Sequence, residues 1–212
     1  MGELIAAIAA SYLAGSIPTA LIVGRVIGGV DIREHGSGNA GATNVYRLFG
    51  LGPYVLTLVV DAFKGFASVT LIAPLGAGVL SDQRTALLCG VMAVVGHIWT
   101  VFAGFKGGKG VATAGGMFLG LAPLATLAAL VVYLVTTLTT KYVSLGSILA
   151  AITAPVFLIV RDAAFGAEAP AELIVIASAL ALLIIFTHRE NIVRLMRGEE
   201  RKTDFLARLK RR

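Results

Sequence analysis

The sequence predicts an all-α polytopic membrane protein with seven transmembrane helices, some of them short, its N-terminus outside and its C-terminus cytoplasmic. Three observations predict it. Hydrophobic residues make up 57% of the 212 and charged residues only 14%, too little polar surface for a water-soluble fold. Apolar runs lie near 4–23, 54–73, 85–103, 114–140, 145–160 and 172–187, each near the ~20 residues that a helix needs to cross a hydrocarbon core. The segments between these runs divide by charge.

Charge turns six runs into seven helices. Short cytoplasmic loops are enriched in Lys and Arg. Arg25, Arg33 and Arg47 follow the first run, and Lys106 and Lys109 follow the third. The tail from His188 to Arg212 holds nine Lys/Arg against four Asp/Glu. The segment around Asp82 has no excess of basic residues and that from Asp162 to Glu172 is acidic, and both read as external. An even number of crossings must then separate the Lys106 loop from the tail, yet three runs lie between them. The anomaly is 114–140, which is 27 residues long and contains Gly115, Gly116, Gly120 and Pro123. Two short helices turning near Pro123 restore parity, since Pro and Gly permit a break where neighbouring protein satisfies the backbone. Lys141, in the turn "TKYVSLGS", fits a cytoplasmic position.

The opening run, "MGELIAAIAASYLAGSIPTALIVG", has Glu3 where a cleaved signal has basic residues, so it reads as a retained helix. Residues 1–212 read as a single integral membrane domain, with 188–212 its basic cytoplasmic tail. The tail supplies most of the net charge of +6 and reads as facing anionic lipid rather than nucleic acid. Cys89 is the one cysteine, inside an apolar run. It excludes a disulfide framework and a zinc site and reads as a small hydrophobe.

All the polar clusters then gather on the cytoplasmic face. "GSGNAGATN" (36–44) holds three glycines and only small or amide side chains. Glycines let another group approach the backbone closely, and successive N–H groups in such turns form nests for anions. Ser37, Asn39, Thr43 and Asn44 add short hydrogen-bonding groups, and Arg47 adds a planar fork suited to phosphate. "GFKGGKG" (104–110) repeats the pattern with Lys106 and Lys109. It is not a nucleotide P-loop, because Ala103 and Gly110 occupy positions that such a loop reserves for Gly and Ser/Thr. His97 lies inside the third run, and Asp61 and Lys64 share a helix face as an internal ion pair. Ser144, His188, Arg189 and Asn191 lie at the cytoplasmic ends of later runs. No Cys/His cluster has metal-ligand spacing and no G-x-S-x-G elbow is present. The pattern describes a basic, Gly-lined, metal-free site for phosphate at the membrane surface, serving an enzyme, a transporter of a phosphorylated solute or a membrane scaffold.

"GSGNAGATNVYR" (36–47), "GHIWTVFAGFKGGKGVAT" (96–113) and "HRENIVRLMRGEE" (188–200) resemble the three signature motifs of the bacterial PlsY family, in the same order. The resemblance implies an enzyme of phospholipid synthesis in the bacterial cytoplasmic (inner) membrane, with its active site facing the cytoplasm. It implies transfer of an acyl chain from acyl phosphate to glycerol 3-phosphate without a cofactor, giving lysophosphatidic acid and phosphate. Membrane lipids and a soluble acyl-phosphate synthase are the implied partners. The implied site comprises Gly36, Ser37, Asn39, Gly41, Asn44, Arg47, Lys106, Gly107, Gly108 and Lys109 around phosphate. Ser144, His188 and Asn191 lie near the polar substrate, with Ser37, Ser144 and His188 as catalytic candidates. His188 acts either as general base or as an orienting residue while a phosphate oxygen takes the proton. Ala40 and Thr100 depart from the family, which often has proline at both places.

Overall fold

The computed structural model describes residues 1–166 and 170–205, and every regular element among them is helical. Two compact units follow one another, Met1–Leu121 and Ala122–Arg212.

The first unit contains α1 (Gly2–Ser16), α2 (Thr19–Gly28), α3 (Ala42–Phe49), α4 (Leu51–Ala67), α5 (Asp82–Ile98) and α6 (Val111–Leu121). The opening apolar run is broken between α1 and α2, where Pro18 disfavours helical geometry at Ile17. Buried side chains satisfy the carbonyls that the break releases. Lys64 Nζ donates to the Ile17 carbonyl, and Thr100 Oγ1 donates to that of Ser16. Such substitutes are what make a broken membrane helix tolerable.

Helix pairs in this unit meet through reciprocal glycines. A Cβ on Gly15 of α1 would strike the Ala93 carbonyl of α5, and one on Gly96 of α5 would strike the Tyr12 carbonyl of α1. Between α4 and α6, Gly65 faces the Thr113 carbonyl and Gly116 faces that of Ala62 in the same manner. Small residues allow this backbone-to-backbone packing where lipid removes the hydrophobic drive between helices.

The second unit contains α7 (Pro123–Thr140), α8 (Val143–Phe165), α9 (Ala171–Thr187) and α10 (Arg189–Met196). Here α8 packs against both α7 and α9. Leu127, Val131, Leu134 and Leu138 of α7 are exposed, as suits a helix facing lipid.

Among the described residues, five segments are long and apolar enough to cross a membrane: Gly2–Gly28, Leu51–Gly76, Asp82–Ala103, Pro123–Thr140 and Val143–Ala164. Ala171–Thr187 with Arg189–Met196, bent by 61°, makes a sixth. The 114–140 run does break beside Pro123, but into one short helix and one full-length helix rather than two short ones. With 11 residues, α6 is only about 16 Å long, whereas α7 has 18. Gly115, Gly116 and Gly120 stay helical inside α6. The break belongs to Ala122 and Pro123, because proline opens a helix readily at its first turn.

Candidate functional site

The residues expected around phosphate and polar substrate form two clusters, one in each unit. The first is built on the loop from Asp31 to Gly41. Asp31 opens a single 3-10 turn, Ile32–Glu34, by accepting from the Arg33 N–H at 2.9 Å. Its carboxylate also grips the Arg33 guanidinium, with Nη2 at 2.7 Å. The hydrogen bonds and charge of Arg33 hold the Asp31 carboxyl at about 2, below its ordinary 3.8, against a smaller opposing effect of burial. Nη1 of Arg33 donates to the Ala103 carbonyl at 2.9 Å, tying this loop to the one that carries Lys106.

Asn44 fastens the next part of the loop. It is buried at the start of α3. Its Oδ1 accepts from the Ser37 N–H at 2.8 Å, and its Nδ2 donates to the carbonyls of Ile32 at 2.8 Å and His35 at 3.0 Å. Gly36 has φ 63° and lies against Asn44 Oδ1, so a side chain there meets both strain and a clash. Every polar atom of the Asn44 amide thus serves the loop's own backbone. Ser37 is exposed, while Asn39, Gly41 and Arg47 are half-buried. Ala40 packs with Ile32 and Val45 in an apolar cluster that also touches Ala103.

The Lys106 loop is held by the end of α5. Gly107 N–H donates to the Ile98 carbonyl at 3.0 Å and Gly108 N–H to the His97 carbonyl at 3.1 Å. A Cβ on Gly107 would strike the His97 carbonyl, and one on Gly108 the His97 ring. Gly108 also lies beside the Ala40 carbonyl, which brings the two glycine-rich loops together. Phe105, with φ 61°, occupies a backbone region unusual for a bulky residue, its N–H donating to the Thr100 carbonyl at 2.8 Å. Lys106 is exposed and Lys109 half-buried.

The second cluster centres on Glu200, which sequence reasoning did not single out. Its Oε1 accepts from Ser144 Oγ at 2.7 Å and from Asn191 Nδ2 at 2.7 Å, and its Oε2 accepts from Arg194 Nε at 2.9 Å. The turn that returns Glu200 toward α10 passes through Gly198, whose φ of 72° suits glycine. Burial pushes the Glu200 carboxyl up, but the three hydrogen bonds and the Arg194 charge outweigh it and hold the group below its ordinary range. Ser144 and Asn191, read as separate site residues, are therefore joined through one carboxylate. His188, buried at the end of α9, sets its Nδ1 2.8 Å from the Ile184 carbonyl. That acceptor places the neutral ring's proton on Nδ1 and makes Nε2 the basic nitrogen.

The only sequence signal for Glu200 is its place in "HRENIVRLMRGEE"; nothing in the order of residues connects it to Ser144. Thr100 stands out in the sequence only as a missing proline. Its φ of −71° lies in proline's range, but its buried hydroxyl makes a hydrogen bond to Ser16 that proline lacks.

Comparison with known proteins agrees across the chain. A family model described as glycerol-3-phosphate acyltransferase matches residues 5–198. A Chlorobaculum parvum protein named glycerol-3-phosphate acyltransferase is 41% identical, over 97% of this chain and 98% of that protein. One of the same name from Chlorobaculum tepidum is 40% identical over the same shares. The crystal structure of PlsY, an integral membrane glycerol 3-phosphate acyltransferase, in its glycerol 3-phosphate form superposes with a TM-score of 0.85. It is 40% identical, over 97% of this chain and 98% of that one. The lysophosphatidic acid form gives 0.81 at 40% identity, over 96% of each chain. The five or six candidate spans match that integral membrane fold.

Proposed function

The chain belongs to the glycerol-3-phosphate acyltransferase family, and on that premise we propose that it moves a fatty acyl group from acyl phosphate to the 1-hydroxyl of glycerol 3-phosphate. The products are lysophosphatidic acid and phosphate. The observation that carries the reading is the full-length match to relatives of that name, which runs through all three polar motifs. Acyl phosphate as donor rests on chemistry. A mixed anhydride has a good leaving group, so the glycerol hydroxyl attacks the acyl carbon directly, the new ester bond forms and the bond to phosphate breaks. No acyl-enzyme is needed, and the protein's tasks are to position two phosphates and stabilise developing charge.

In this reading Ser37, Asn39, Gly41, Arg47, Lys106, Gly107, Gly108 and Lys109 line the phosphate sites, while Gly36 and Asn44 shape the loop that carries Ser37. Ser144, His188 and Asn191 serve glycerol 3-phosphate, with Glu200 orienting Ser144 and Asn191. The proton of the attacking hydroxyl passes to a phosphate oxygen of the donor, and His188 orients the acceptor. The family match from 5 to 198 supports treating both units as one acyltransferase domain. Loop charge supports seven crossings, the short α6 being the seventh, with an external N-terminus and a cytoplasmic active site in the inner membrane. A soluble acyl-phosphate synthase is the partner proposed for the basic tail, whose residues 206–212 lie outside those described.

The test is purified full-length protein in detergent, with acyl phosphate and labelled glycerol 3-phosphate, followed by lipid extraction. Labelled lysophosphatidic acid is the expected product. Product formed from acyl-CoA or an acyl carrier protein, with none from acyl phosphate, overturns the donor assignment.

A further inference from the structure

The sequence leaves His97, Asp61 and Lys64 without a role in the site. In the first unit these three groups form one buried line that ends on the Lys106 loop. Lys64 Nζ donates to the Ile17 carbonyl at the Pro18 break and to Asp61 Oδ1 at 2.6 Å. Asp61 Oδ1 in turn faces His97 Nδ1 at 3.8 Å, a charge–dipole distance rather than a hydrogen bond. Asp61 and Lys64 are each at most 5% exposed and His97 is 9% exposed. The far edge of the His97 ring lies against Gly108, where an added Cβ would strike Nε2. The backbone carbonyl of the same residue accepts from the Gly108 N–H at 3.1 Å.

From this geometry we infer that His97 is a positioning residue for the reaction. Its ring and carbonyl together fix the Gly107–Gly108 turn, and the Asp61–Lys64 pair fixes the ring. The turn separates Lys106 from Lys109, so its shape sets how those two cations meet phosphate. Buried ionic groups are costly in a membrane and persist where they have work to do. Here Lys64 satisfies a broken helix at one end of the line and His97 supports the loop at the other. The absence of side chains at 107 and 108 follows as well, because any Cβ would displace the ring or the carbonyl that holds the turn.

The inference rests on the loop being a phosphate site, so the test has one arm that does not depend on turnover. Full-length parent, His97→Ala and His97→Gln are compared in detergent by amide exchange over residues 104–110 and by KM and kcat with both substrates. In His97→Ala the Gly107 and Gly108 amides should exchange about tenfold faster while α1 and α5 amides do not change. KM for at least one phosphate-bearing substrate should rise about tenfold, with kcat within about threefold of the parent. His97→Gln, which keeps a polar group of similar reach, should shift both readouts in the same direction by a smaller factor.

Exchange and KM within about twofold of the parent in a folded His97→Ala protein overturn the inference. So does faster exchange spread evenly along α5, which would mark a merely structural histidine, or faster exchange at the turn with KM unchanged. Where His97→Ala does not fold, the same measurements on His97→Gln decide, and parental values there overturn it. An inactive parent sinks the acyl-phosphate reading, while the exchange arm still tells whether His97 holds the turn.

Discussion

Asn44 Oδ1 accepts a hydrogen bond from the Ser37 N–H at 2.8 Å across seven residues of sequence. The bond makes one side chain responsible for the shape of the loop and leaves the other exposed on it. Asn44→Ala would remove three hydrogen bonds, leaving the Ile32 and His35 carbonyls with only the backbone N–H groups of His35 and Gly38, at a cost of about 0.5–1.5 kcal/mol for each bond lost. Asn44→Ala should lower both thermal stability and activity. Ser37→Ala removes only a hydroxyl from the surface of the loop and should reduce kcat/KM by about tenfold or more with an unchanged melting temperature. Thermal unfolding in detergent beside the acyltransfer assay separates the two.

The Glu200 cluster predicts a dependence on pH. A carboxylate held below its ordinary value of 4.5 stabilises the fold fully above that value, and the contribution is lost as pH falls through the lowered one. The melting temperature should be flat from about pH 8 to about pH 5 and fall in more acid solution. Glu200→Gln replaces an acceptor with an amide whose N–H groups oppose those of Asn191 and Arg194. It should lower the plateau, weaken the acid dependence and cut activity, since Ser144 and Asn191 lose their common anchor. The Asp31–Arg33 pair has the same sign. It contributes fully above 3.8 and is lost as pH falls toward about 2, so it adds to the acid loss only below 3.8.

The fold and the two glycine-rich loops are legible because each leaves a pattern along the chain. Apolar runs, basic loops and a proline in an overlong run announce helices and a break near Ala122. Small residues around Ser37 and Lys106 announce a close approach to the backbone. Glu200 is not legible, because it joins Ser144 across 56 positions and a glutamate in a charged tail looks like any solvated acid. Gly116 misleads for a related reason. A glycine that opens a helix and one that lets two helices touch look the same until the partner backbone, here Ala62, is in place. Asn44 reads as a ligand for phosphate because a buried amide and an exposed one cannot be told apart in a loop sequence.

Thr100 predicts what a departure from the family pattern contributes. Its hydroxyl donates to the Ser16 carbonyl released beside Pro18, and the residue is 2% exposed. Thr100→Val keeps the shape and removes the donor, leaving a buried carbonyl short of a partner at a cost of about 1–3 kcal/mol. A melting temperature equal to the parent's would show that the hydroxyl is dispensable. Thr100→Ser, which keeps the donor, should retain most of the stability.

Adjacent glycines in α6 offer the sharpest test of the packing. Gly116 lies against the Ala62 carbonyl of α4, and Gly65 of α4 lies against the Thr113 carbonyl of α6. A Cβ at either position meets backbone rather than a flexible side chain, so the helices must separate along their whole contact. Overpacking of this kind costs about 1–3 kcal/mol or more. A Cβ added to Gly115, one residue away, would meet nothing within 4 Å, and alanine there gains helix propensity of about 1 kcal/mol. Gly115→Ala should therefore leave the melting temperature equal or higher, and Gly116→Ala and Gly65→Ala should lower it. Equal melting temperatures for Gly115→Ala and Gly116→Ala would contradict the close approach of α4 and α6. The consequence reaches the Lys106 loop, since α6 begins at Val111 immediately after it. A displaced α6 would move Lys109 and Gly110 with it, so Gly116→Ala should also raise KM for a phosphate-bearing substrate, while Gly115→Ala should not.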